Sequence, residues 1–169
     1  MRLIGRCFNR RFFAGLSVFF AVVFLAGTLR AKAQAIPKGG DDDPDARPPV
    51  TKTDLLIVQR ARKILDSPSR WNRADTRVCP PEAKTYSVYC ALEKATLDVT
   101  GDFKHRGAAM QEARFVIDDI APNRKSYNHR LMGYNNDPTT TFADVQKVFQ
   151  LLEDRIAKRL AEASPGSAK

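Results

Sequence analysis

The chain has 169 residues, enough for one domain with an ordinary core. Its net charge of +9 misleads, because six of the 28 basic residues and none of the 19 acidic ones lie in the first 35 positions; the remainder carries 22 against 19, a net of +3. No basic stripe survives outside that segment, which argues against nucleic acid as a partner.

Residues 1–11 are basic, with Arg2, Arg6, Arg10 and Arg11, and residues 12–29 form a continuous apolar run. The small residues A-K-A-Q-A follow, offering cleavage after Ala33 or Ala35, so residues 1–35 are expected to be a signal peptide. The alternative is an uncleaved anchor in the inner membrane, because eighteen apolar residues just span a bilayer. Contact with a membrane is expected only through this run. Asn9-Arg10-Arg11-Phe12-Phe13 also resembles a twin-arginine export motif, against a plain general-secretion leader. Cys7 precedes the apolar run, where a lipoprotein acceptor does not lie.

Residues 36–52 hold four prolines and two glycines and read as a linker. The Asp41–Asp43 run lacks the glycine and distal glutamate of a calcium loop and reads as a solvated tether.

Four amphipathic helices are expected between residues 53 and 163, with residues 164–169 a disordered tail. The first starts at Thr53-Asp54, carries Ile57, Val58, Ala61, Ile64 and Leu65 on one stripe and stops at Ser67-Pro68. The second begins near Tyr86 or Ser87, with Val88, Ala91, Leu92, Ala95 and Val99 on one face and Gly101 at its end. Its opening, T-Y-S-V-Y, also reads as a short strand. The third carries Ala109, Ala113, Val116, Ile117 and Ile120 and ends at Pro122. The fourth starts at Thr141, with Asp144 placed for a capping box, and runs through Val145, Val148, Phe149, Leu152, Ile156 and Leu160. Each helix shows a single apolar face, which implies an all-α bundle around one core with long irregular loops.

Cys79 and Cys90 are the two cysteines left after the leader. In an oxidising compartment a disulfide is the default for such a pair, worth roughly 3 kcal/mol for a loop of this size. The rival reading makes Cys90 the nucleophile of a hydrolase or transferase with His129 or His105 as base, but no cysteine-hydrolase signature surrounds it. The two histidines are isolated and each has a basic neighbour, as His105-Arg106 and His129-Arg130. No H-x-x-H spacing exists, so neither a metal site nor a cofactor is expected. Segment 123–141 is crowded with amides, hydroxyls and aromatic rings. It explains itself as a structural turn, or it lines a polar pocket. The candidate binding residues are Trp71, Tyr127, Tyr134, Asn136 and Asp137, which meet if the first and third helices end on the same side of the bundle.

An apolar first helix, a tryptophan, Cys79-Pro80, the segment Cys90-Ala91-Leu92-Glu93-Lys94-Ala95, the turn Tyr134-Asn135-Asn136-Asp137 and a Thr-led last helix follow in order. This order resembles an uncharacterised family of small bacterial helical domains with a Cys-Ala-Leu-Gly-Ala helix and a Trp-Asn-Asp turn, over about residues 53–160. Glu93-Lys94 replaces the small glycine, and Tyr134 is offset from the tryptophan's place. The resemblance implies a fold and a site but no reaction. The sequence is thus expected to encode a periplasmic or secreted domain that binds or scaffolds in the cell envelope.

Overall fold

A computed structural model describes residues 45–163. The apolar run 12–29, the cleavage sites, the aspartate run and the tail lie outside the described residues. Helix α1 (Lys52–Ile64) starts before the apolar stripe because Thr51, not Thr53, closes its end. Thr51 Oγ1 accepts from the Asp54 backbone, and Asp54 returns a bond to the Thr51 N–H at 2.8 Å, so two N–H groups of the first turn are satisfied reciprocally. Ile57, Val58, Ala61 and Ile64 face inward.

Helix α2 (Val88–Thr100) is capped by Ser87, whose hydroxyl accepts from Cys90 N at 3.1 Å, and ends at Gly101 in the left-handed region at φ 75°. A glycine takes that conformation without strain. The strand alternative for T-Y-S-V-Y reduces to one isolated parallel bridge between Trp71 and Tyr86. Val88 through Leu92 are all buried, whereas Val99, expected on the inner face, is exposed in the last turn of α2.

Helix α3 (Ala108–Ile120) corrects the expectation of single-faced helices, because all ten residues from Ala108 to Ile117 are buried. Its apolar stripe meets α5 and α1. Its polar side is covered by the end of the proline-rich stretch, which lies across it without regular structure. Gln111 Nε2 donates to the Ala46 carbonyl at 2.8 Å, the Arg47 guanidinium sits 3.9 Å over the Phe115 ring, and Arg159 holds both the Pro48 carbonyl and buried Glu112. Gln111 and Glu112 are thus buried with partners, although the second Glu112 oxygen, Oε2, has none among the described residues.

Segment 123–141, expected to be a loop, contains a 3-10 turn (Arg124–Ser126) and a short helix, α4 (Arg130–Asn136). Gly133 permits α4 to touch Tyr127, since a Cβ there would lie 2.5 Å from that ring. The last helix, α5 (Phe142–Ala163), begins at the expected capping box, Thr141 Oγ1 accepting from Asp144 N at 3.2 Å while the Asp144 carboxylate takes the Thr141 N–H at 2.9 Å. Its stripe of Val145, Val148, Phe149, Leu152 and Ile156 is buried against α1 and α3. Five helices and no strand among the described residues make an all-α domain, with α4 added to the four expected helices.

Candidate functional site

The loop after α1 and the loop after α3 do converge. Asn135, buried at the end of α4, is the hub. Its Oδ1 accepts from Trp71 Nε1 at 2.9 Å and from the Val88 backbone at 3.1 Å, which places it on the first turn of α2. Its Nδ2 donates to the Asn72 carbonyl at 2.9 Å. Asn136 brackets Asp75, accepting from its N–H at 2.7 Å and donating to its carbonyl at 2.8 Å. Asp137 accepts from the Thr139 hydroxyl at 2.6 Å, the Asn123 amide at 3.0 Å and the Tyr127 hydroxyl at 2.8 Å. Those donors, Thr139 foremost, hold the Asp137 carboxyl well below the usual carboxylate range. Burial first, and then the bond to Asp137, pushes the Tyr127 hydroxyl up to about 12. Tyr134 is buried among apolar side chains and is also raised to about 12, chiefly by burial.

Trp71 and Asn136 therefore meet at Asn135, which was not among the candidate binding residues, while Tyr127 and Asp137 bond each other. Their polar groups are spent on one another and on the backbone, so the cluster locks two loops together.

Cys79 and Cys90 are joined as a disulfide, with Cα atoms 5.3 Å apart. A sulfur in that bond is not a thiolate. His129 lies instead on a concavity of about 240 Å³ that Cys90 does not line. This cleft gathers five arginines, Arg77, Arg106, Arg114, Arg124 and Arg130, with His105, His129, Asn128 and Tyr89. Its residues come from the disulfide-bordered loop (Arg77), α2 (Tyr89), the α2–α3 loop (His105, Arg106), α3 (Arg114) and the approach to α4. Arg77 has φ 60°, the described non-glycine residue in the left-handed region, and its N–H is tied to the Asp75 carboxylate at 2.7 Å. Such strain persists only where the surroundings enforce it.

Asp118 pairs with both Arg124 and Arg130, and Asp45 pairs with Arg130 at 2.6 Å. No carboxylate among the described residues pairs with Arg77, Arg106 or Arg114. Arg114 is the most enclosed of the three, 7% exposed, and donates to the Gln111 side chain, to the His105 carbonyl at 3.0 Å and to His105 Nε2 at 3.0 Å. Burial first, then repulsion from Arg106, lowers it to about 10, so it stays charged near neutral pH. A guanidinium only donates, so His105 Nε2 accepts and the geometry assigns the proton to Nδ1, 3.3 Å from the Tyr89 hydroxyl. Desolvation, followed by the Arg114 and Arg106 charges, holds His105 below its ordinary value. The cleft is thus a cationic wall around a neutral imidazole.

The sequence carried one sign of it, the paired His105-Arg106 and His129-Arg130, read there only as poor cation ligands. Arg77 and Arg114 had no signal of their own. A family model described as a family of unknown function matches residues 49–155. No curated protein and no solved structure matches the chain.

Proposed function

The chain belongs to that family of unknown function, DUF6197, and from that premise we propose that it is an exported, non-catalytic domain that binds a small anion in the arginine-lined cleft. The observation that carries the reading is the gathering of Arg77, Arg106 and Arg114 around one concavity without a paired carboxylate among the described residues. Like charges held together cost free energy that an anionic ligand would offset. The volume, about 240 Å³, suits a small molecule or a head group rather than a peptide.

Export is supported by the leader pattern and by the disulfide, a bond that persists in oxidising compartments. Among the described residues no helix is long and apolar enough to cross a membrane.

The test is thermal unfolding of the protein with a panel of small carboxylates, sulfate and phosphate at constant ionic strength. A ligand of the folded state raises Tm by mass action. The reading expects at least one anion to raise Tm in the wild type and not in Arg106→Gln. It fails if every anion acts equally on both. A thiol titration of protein recovered from its host should find no free thiol before reduction; a free Cys90 there would revive the cysteine-enzyme alternative with His129.

A further inference from the structure

We infer that the ligand of this cleft is a phosphate-type dianion, either inorganic phosphate or the terminal phosphate of a small monoester, held by Arg77 and Arg106 beside the enclosed charge of Arg114. The inference rests on the anion-binding reading and adds the charge and shape of the ligand.

The cleft's own charges argue for it. Asp118 and Asp45 answer Arg124 and Arg130, which leaves the three remaining guanidinium groups facing the same space. A monocarboxylate presents one charge and two oxygens, and leaves most of that wall unanswered. A phosphate presents nearly two charges and at least three strong acceptor oxygens, which suits the Arg77 and Arg106 guanidinium groups together with the charge of Arg114. Arg114 belongs to α3, Arg106 to the loop before it and Arg77 to the loop before Cys79, so three separate segments bring their charges to one concavity.

The neutral groups fit the same ligand. His105 is committed by Arg114 to the tautomer with its proton on Nδ1, and so brings no further positive charge. Asn128 supplies an uncharged polar edge, while Leu131 and Met132 offer apolar surface for the alcohol portion of a monoester. No acidic side chain lines the concavity, and the nearby Asp118 and Asp45 are paired with Arg124 and Arg130.

The experiment is calorimetric titration of the purified protein with inorganic phosphate, glycerol phosphate, sulfate, succinate and acetate at one pH and one ionic strength. Phosphate or glycerol phosphate should bind at least about tenfold more tightly than acetate, the scale expected for an added charge-assisted contact. Arg106→Gln and Arg77→Gln, neither of which breaks an ion pair, should each weaken that binding about tenfold. Lys147→Gln, on the exposed side of α5, should leave it unchanged. Tighter binding of glycerol phosphate than of inorganic phosphate assigns the source to a monoester; the reverse order assigns it to free phosphate. If acetate or succinate binds as tightly as phosphate and remains arginine-dependent, the phosphate inference is overturned while the anion-binding cleft stands. If no anion binds, or the arginine variants bind as the wild type does, both fall.

Discussion

At the residue scale, Asn135 does more than the aromatic groups around it. Its amide meets Trp71 and Asn72 from the loop after α1 and Val88 from the start of α2. Asn135→Ala removes an acceptor from two N–H groups and a donor from one carbonyl, all partly or fully buried, and should cost about 3–5 kcal/mol in chemical denaturation. Asn136→Ala loses a pair of bonds at an exposed position and should cost about 1–2 kcal/mol. Asp137 makes a different prediction. Its carboxyl is depressed in the fold, so its contribution is complete above the unfolded value near 3.8 and is lost as pH falls through the lower folded value. Stability should therefore fall below about pH 4 in the wild type. In Asp137→Asn, lower in stability at neutral pH, that acid dependence should be shallower; an unchanged slope in acid titrations would remove Asp137 from the account. Gly133 has a steric role: Gly133→Ala drives a methyl into Tyr127 and should cost about 1–3 kcal/mol, with loss of the Tyr127–Asp137 bond.

At the scale of elements, the amphipathic stripes were readable because α1, α3 and α5 repeat apolar residues over three or more turns. Phe149, fully buried at the centre of the α5 stripe, should cost about 3–5 kcal/mol on truncation to alanine. Gln150 on the opposite face bonds only exposed partners, Arg62 and Asp154, and Gln150→Ala should change stability by less than about 1 kcal/mol. Equal effects would contradict the packing of α5. Helix α4 escaped notice for a physical reason: in seven residues only Leu131 and Tyr134 among the apolar ones are buried, too few to make a period. The full burial of α3 was equally hidden. Gln111, Glu112 and Arg114 look like a solvated face until Arg159 and residues 45–50 are laid over them.

At the scale of the whole molecule, the disulfide and the cleft are coupled. Cys79 lies two residues after Arg77, and its bond to Cys90 carries that loop onto the first turn of α2, beside Tyr89. Cys79→Ser should lower stability by roughly 2–4 kcal/mol under oxidising conditions and by little in reductant. The same variant should also weaken anion binding, because Arg77 is no longer pinned over the cleft. Unaltered affinity in Cys79→Ser would show that Arg77 is placed by Asp75 alone. Charge at this scale did not follow composition: a remainder of net +3 concentrates its cations at one concavity, which totals conceal.

The sequence by itself determined what depends on neighbours along the chain. The four longer helices, the capping box at Thr141, the stop at Gly101 and the pairing of Cys79 with Cys90 all follow from local periodicity, turn chemistry and cysteine count. The convergence of the 68–85 and 123–141 loops was also foreseeable, from the alternation of antiparallel helices. Only the tertiary structure decided which polar groups are consumed and which remain available. Trp71, Asn136 and Asp137 looked available as isolated letters, but hydrogen bonds engage them internally, those of Trp71 and Asn136 reaching across to the other loop and those of the Asp137 carboxylate staying within its own. Arg77, Arg106 and Arg114 looked like ordinary surface cations, and acquire their meaning from lying on one wall without a carboxylate partner among the described residues. Satisfaction of a polar group is a property of three-dimensional neighbours, and no spacing rule along the chain encodes it.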